Sequence, residues 1–359
     1  MSVTPIGRRR WLMFKANRRG WYSLMLFGAL FGLSLGAEFI ANDRPIAFAQ
    51  GGELRFPVFF TYTERELGGE LETEADYRDP YVMALIEADG WMLWPIVRYA
   101  HDTIDWELTP PYPSPPSARH WLGTDGLSAD NFAILLYGFR LSVLFGLSLT
   151  LISALIGVAV GALQGYLGGL TDLIGQRVVE IWAGLPILFV LIILSSMVEP
   201  NFFWLLATLA LFSWMALVGV VRAEFLRARN FEFVLAARAL GVREITIMRR
   251  HVLPNAMVAT LTYLPFILNG AITTLTALDF LGFGLPLESP SLGRLLSQAK
   301  MNLHAPWIGL AAFATLATML TLLIFIGEAV RDAFDPRRAV AGGSGMDPAS
   351  APLPGNAGG

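Results

Sequence analysis

The chain has 359 residues, 54% of them hydrophobic and only 15% charged, and its mean hydropathy is positive. That balance excludes an ordinary soluble domain and fits a polytopic membrane protein. The absence of cysteine excludes disulfides, thiolate catalysis and cysteine-based metal sites. Neither lysine, Lys15 or Lys300, follows a glycine, so the chain has no Gly-Lys-Ser/Thr phosphate loop and any ATP used must be bound by another subunit.

In chain order, residues 1–20 carry six basic residues (Arg8, Arg9, Arg10, Lys15, Arg18, Arg19) and no acid. An uncharged run follows from Trp21 to Ala37 without an A-x-A cleavage signal. The expected element is an uncleaved first transmembrane helix at 21–41, its N-terminus in the cytoplasm. Residues 42–133 differ in kind: sixteen acids face six arginines, a balance of −10, and prolines cluster at Pro110, Pro111, Pro113, Pro115 and Pro116. Phe56, Phe59, Phe60, Trp91, Trp94, Tyr99 and Trp106 are too many aromatics for a disordered acidic linker. A small ordered domain outside the membrane is expected, its aromatics forming a core and Trp91 and Trp94 offering contact residues.

Five further spans are expected at 141–171, 181–198, 201–221, 255–280 and 305–327, each long enough for the roughly 30 Å hydrocarbon layer. Gly157, Gly161 and Gly165 recur every four residues and share one helix face, which permits close helix contact. Asp172 and Arg177, in a short loop between spans, are placed to pair. Glu180 and Asp279 fall at span ends, as solvated ends or helix contacts. With six spans both termini lie on one side. The pieces then facing the cytoplasm carry 17 basic residues against 8 outside, the positive-inside bias of a consistent topology. The core is thus 134–331, with a cytoplasmic loop at 222–255 and a largely disordered cytoplasmic tail at 332–359.

Within that loop, Phe233, Ala236, Ala237 and Leu240 fall at i, i+3, i+4 and i+7, one face of a short helix. Gly241 suits a left-handed C′ position after it. A second helix follows with Ile245, Met248 and Val252 on one side, and Leu253-Pro254 stops it. Periodicity alone is equally met by an amphipathic loop lying on a membrane surface or packed against its own chain.

The order Ala236-Ala237, Gly241, Leu253-Pro254 resembles the cytoplasmic signature loop of ABC-importer permeases, which forms a coupling helix seated in a groove of the ATPase subunit. That family's pattern begins Glu-Ala-Ala; here Leu235 holds the glutamate position and Glu232 lies one turn earlier. Trp121-Leu-Gly-Thr-Asp125, Tyr137-Gly-Phe-Arg-Leu-Ser142, Gln164-Gly-Tyr-Leu-Gly-Gly169, Leu185-Pro186, Leu278-Asp-Phe-Leu-Gly-Phe-Gly284 and Arg331-Asp-Ala-Phe-Asp-Pro336 are similar, in order, to dipeptide and oligopeptide permeases. After Asp125 that family has Gly-Arg-Asp, whereas Ser128-Ala129-Asp130 stands here. The acidic segment, with Tyr77-Arg-Asp-Pro80 and Gly90-Trp-Met-Leu-Trp94, resembles the enlarged outer segment of the YejE-like branch, permeases for peptides and microcin C.

The resemblance implies an all-α, six-helix permease of the bacterial inner membrane with a periplasmic insertion between helices 1 and 2. It further implies a homologous second permease, two ATPase domains that bind ATP and Mg, a periplasmic peptide-binding protein and surrounding lipid. Glu232, Leu235, Ala236, Ala237, Gly241, Leu253 and Pro254 would transmit ATPase motion. No nucleic acid, catalytic residue or resident cofactor is expected. His101, His120, His251 and His304 are scattered without ligand spacing. A proton-coupled secondary transporter, the rival class, would place a charge in mid-span, and the spans are nearly free of charge.

Overall fold

A computed structural model describes residues 5–334; the tail expected to be disordered beyond Pro336 lies outside them. Helix α1 (Pro5–Ala16) ends at Asn17, whose side chain accepts the Gly20 amide at 3.2 Å and starts α2 (Arg18–Leu35). Gly36 separates α2 from the one-turn α3 (Ala37–Ile40), so the expected 21–41 helix is broken near its end. The insert then supplies strands β1 (Ala47–Gln50) and β2 (Glu53–Arg55), α4 (Pro80–Glu87) and β3 (Gly90–Leu93).

The longest helix, α5 (Asn131–Leu167), begins well before the expected 141 because the Asp130 carboxylate caps it, accepting the Ala133 amide at 2.9 Å. Arg140 lies inside it, neutralised by Glu38 at 2.8 and 3.0 Å. After Gly168 come α6 (Gly169–Ala183) and α7 (Ile187–Ser195), which meet at a 63° bend beside Pro186. Next are α8 (Phe202–Ser213), α9 (Met215–Ala228), α10 (Glu232–Ala239) and α11 (Glu244–Ile247). The chain finishes with α12 (Leu253–Leu281), α13 (Leu292–Met301) and α14 (Pro306–Phe334).

Among the described residues, four stretches are long and apolar enough to cross a membrane: Asn131–Leu167, Phe202–Ala228, Glu244–Leu281 and Pro306–Phe334. The bent pair α6–α7 makes a fifth if it counts as one crossing. Helix α2 corresponds to the first expected span, but it is 18 residues long and opens on Arg18 and Arg19.

Helices α5 and α9 run parallel, seam to seam. A Cβ at Gly157 would stand 2.7 Å from the Trp214 carbonyl, one at Gly161 2.9 Å from that of Val218, and one at Gly165 2.5 Å from that of Arg222. The four-residue glycine row therefore lets two backbones meet where any larger side chain would hold them apart. Helix α12 runs antiparallel to α5: Phe145 and Leu149 pack with Leu275 and Leu278, whereas Ala162 and Tyr166 pack with Val252 and Ala256. Helix α14 runs antiparallel to α12, with the Asn269 amide donating to the Leu320 carbonyl at 3.0 Å. The 229–252 turn, the start of α2 and the end of α14 therefore share one end of the bundle, and the insert lies at the other.

The all-α class fails within the insert, where β1, β2 and β3 form an antiparallel sheet in the order β2-β1-β3. Gly51 and Gly52, at φ +59° and +81°, make the two-residue reversal between β1 and β2, a turn that requires left-handed backbone at both positions. The insert core is Phe48, Leu67, Ala75, Tyr77, Val82 and Ile86, while Phe56, Phe59, Phe60, Trp91 and Trp106 are exposed.

Residues 172–177, expected as a loop, are helical. Asp172 pairs with Arg222 of α9 (Oδ2 to Nη2, 2.7 Å), and Arg177 pairs with Glu180. Five residues turn a helix through roughly 140°, so Asp172 and Arg177 point to different sides.

Candidate functional site

The turn between α9 and α12 is built around Val234 and Ala237. Both face inward, Val234 fully buried, in a cluster with Tyr166, Phe225, Ile247 and Val252. The rest of the apolar row faces out: Phe233 and Ala236 are exposed and Leu240 is 84% exposed, as are Leu235 on another side of α10 and Ile245 beyond the turn. The expected face of Phe233, Ala236, Ala237 and Leu240 is thus not packed against its own chain, apart from Ala237. Glu232 opens α10 from an exposed first-turn position, where an acid suits the positive end of the helix dipole.

Gly241 has φ +74°. Its amide donates to the Arg238 carbonyl at 3.0 Å and the Val242 amide to the Ala237 carbonyl at 3.1 Å, the paired bonds of a Schellman ending. Val242 and Ala237 belong to the same cluster, which adds the apolar contact typical of that motif.

Three polar side chains fasten the turn to α5. The Arg238 guanidinium donates to both Glu244 oxygens, at 2.8 and 3.1 Å, and lies over the Tyr166 ring at 5.8 Å. The Tyr166 hydroxyl donates to the same Glu244 carboxylate. Tyr166 belongs to the Gln164–Gly169 motif, but neither Arg238 nor Glu244 stands out in the sequence. Arg238 and Glu244 are six residues apart, a pairing made possible only by the reversal at Gly241.

Leu253-Pro254 does not stop the second helix. Helix α11, a π-turn at Met248–Val252 and α12 follow one another without a break. Pro254 falls in the first turn of α12, where the change of hydrogen-bond register accommodates its missing N–H.

At the opposite end, a buried charge cluster joins the insert to α5. His120, 1% exposed, has Nδ1 2.8 Å from Asp130 and Nε2 3.1 Å from Asp105. Asp105 also accepts the Tyr99 hydroxyl at 2.9 Å and sits 3.5 Å from Arg78. Burial works against the imidazolium, but the hydrogen bonds to Asp130 and Asp105 outweigh it and raise the His120 pKa above 6.5. The four histidines are indeed scattered in sequence, yet folding brings this one between two carboxylates.

The tryptophans Trp91 and Trp94 are not brought together as one contact patch. Trp91 stands on the exposed side of β3, whereas Trp94 is half-buried against the insert core with the Arg98 guanidinium over its ring at 5.1 Å. Asp279 is a helix-end contact, accepting the Ser291 hydroxyl at 2.5 Å and the Leu285 amide at 2.8 Å.

Residues 138–340 match the family described as binding-protein-dependent transport system inner membrane component. The chain belongs to that family of multi-pass inner-membrane permeases. Within it, the chain is 58% identical to the inner membrane ABC transporter permease protein YejE of Escherichia coli, over 94% of this chain and 99% of that one. It is 54% identical to the peptidoglycan transport system permease protein YejE of Agrobacterium fabrum, covering 93% and 94%. The dipeptide transport permease DppC of Bacillus subtilis is further off, at 34% over 62% of this chain and 70% of that one. Among solved structures, the inward-facing MetNI methionine ABC transporter aligns with 56% of this chain and 96% of its own at 15% identity, with a TM-score of 0.46.

Proposed function

We propose that this chain is one of two permease subunits of an ABC importer that brings peptides, or peptide-bearing fragments such as those of peptidoglycan or microcin C, across the inner membrane. The reading is supported by relatives whose names specify peptide and peptidoglycan transport. In it α2 serves as the first of six spans, with the insert in the periplasm and both termini in the cytoplasm. ATP and Mg belong to two ATPase domains, and a binding protein delivers cargo.

The observation that carries the coupling role is the outward apolar row of Phe233, Ala236 and Leu240 on a turn held rigidly from behind by Val234, the Gly241 ending and the Tyr166–Glu244–Arg238 ties. An exposed apolar patch rimmed by charge is the usual mark of a protein contact. Coupling then works through differential docking of this turn in two ATPase states. Glu232, Leu235, Ala236, Ala237 and Gly241 form or shape that surface, and Leu253 and Pro254 join it to α12.

Gly241→Val tests the role. No atom lies within 4 Å of a Cβ built there, so the cost of the substitution is chiefly backbone strain, roughly 1–3 kcal/mol. The complex should assemble normally while its substrate-stimulated ATPase collapses. Full stimulation in that variant contradicts the role given to the turn.

A further inference from the structure

The insert carries −10 overall, yet one depression in it is basic. This cavity of about 360 Å³ is lined by Arg78, Arg98, Arg119, Trp94 and Trp121, against a single acid, Glu107. Glu107 is held by Arg119 at 2.8 Å, and Arg78 is shared between Asp105 and the face of Tyr99, 4.5 Å away. Arg98 has no carboxylate within 4 Å among the described residues and rests on Trp94. Trp121 is half exposed, its ring braced by Phe132 of α5 at 5.5 Å. A guanidinium without an acid beside two indole faces suits a carboxylate attached to an apolar or ring-shaped group.

A second depression, of about 510 Å³, adjoins the first and shares Arg78 and Glu107 with it. Its own lining has the opposite sign, with Asp43, Glu74, Asp76 and Asp79 against Arg44. The pair therefore presents a dipole: cation and indoles at one end, carboxylates at the other. A short peptide with free termini carries the matching dipole. The first depression is near the lower end of the size range of small-ligand sites, enough for a terminal fragment.

We propose that the insert holds a site for short peptides, with the C-terminal carboxylate on Arg98 and Arg119 between Trp94 and Trp121, and the N-terminal ammonium toward the acidic depression. This rests on the reading of the chain as a peptide permease, and gives the insert a direct part in cargo handling. The floor of the site continues through Asp105 and His120 to Asp130, the cap of α5, so an occupied site abuts the first turn of a spanning helix.

The test uses the full complex in lipid nanodiscs without binding protein, titrated with tri-alanine and read by tryptophan fluorescence. Saturable binding is expected. The Arg98→Ala/Arg119→Ala variant and the C-terminally amidated peptide should each weaken it at least tenfold, equivalent to about 1.4 kcal/mol. Arg98 and Arg119 are exposed, so an unchanged melting temperature separates lost binding from lost folding. Absence of saturable binding, or equal binding by the variant or the amide, overturns the site. So does a variant whose only defect is weaker association of the binding protein, which would make the depression a protein-docking surface. ATP-driven uptake of tri-alanine and of longer peptides by the wild-type complex, reconstituted with its binding protein in proteoliposomes, is measured alongside. Uptake without a saturable site removes this inference alone, and failure to take up any peptide removes the permease reading beneath it.

Discussion

The Tyr166 hydroxyl at the end of α5 donates to the Glu244 carboxylate at the start of α11, across the groove between a spanning helix and the turn. Glu244 also holds Arg238, so one carboxylate fixes both short helices against the bundle. The Arg238–Glu244 pair is about half exposed, 41% and 53%, and a pair so screened by solvent contributes little to stability. Its value lies in position more than in stability.

That distinction gives a prediction. Glu244→Gln and Tyr166→Phe should shift the melting temperature little, yet lower substrate-stimulated ATPase several-fold while basal ATPase persists. The charge-swapped pair Arg238→Glu/Glu244→Arg should recover part of the loss. Normal stimulation in both single variants would show that the turn needs no anchoring to α5.

The α5–α9 seam predicts the opposite pattern. A Cβ at Gly161 meets the Val218 carbonyl and the Val221 Cβ, both at 2.9 Å, and backbone on a packed helix yields little. Overpacking of this kind costs about 1–3 kcal/mol. Gly161→Ala should lower thermal stability measurably and Gly161→Leu should prevent accumulation of folded protein, whereas Gly219→Ala, with open space at its Cβ, should do neither. Thermal unfolding of the detergent-solubilised variants checks this order.

His120 makes the junction between insert and α5 sensitive to pH. Its folded pKa is raised from 6.5, so the stability it contributes is complete below about pH 6.5 and is lost as pH rises through the raised value. The groups facing it are Asp105, Asp130 and, across the ring, Tyr99, with Arg78 behind Asp105. Protection against hydrogen exchange in residues 99–130, taken relative to the intrinsic amide rate at each pH, should therefore fall between mildly acidic and alkaline pH. In His120→Gln that protection should be low already at acidic pH and nearly independent of pH. Protection in the wild type that holds or rises toward alkaline pH would mean that the imidazolium is not what holds the junction.

Much of this architecture can be read from sequence, for physical reasons particular to each element. Long apolar helices declare themselves by composition, and the Gly157, Gly161 and Gly165 row declares its seam by period. Gly241 is legible because left-handed backbone favours one residue type. What could not be read has more than one cause. The row of Phe233, Ala236 and Leu240 has the period of a core face, but period does not say whether the cover is the same chain or another. The Asp172–Arg222 and Arg238–Glu244 pairs required knowing how the bundle folds back. The insert's sheet was hidden because its strands are only three or four residues long. His120 carried no local motif, since its two aspartates lie fifteen residues before it and ten after.

In the proposed function, motion generated by ATP on partner subunits passes through the 232–254 turn to move peptide. Counting both events at once, in proteoliposomes holding this chain, its permease partner, the ATPases and the binding protein, decides whether it does. Peptide uptake should track ATP hydrolysis, survive collapse of the proton gradient, and be lost in Gly241→Val with the complex intact. Uptake that proceeds without ATP and follows an imposed proton gradient would contradict it.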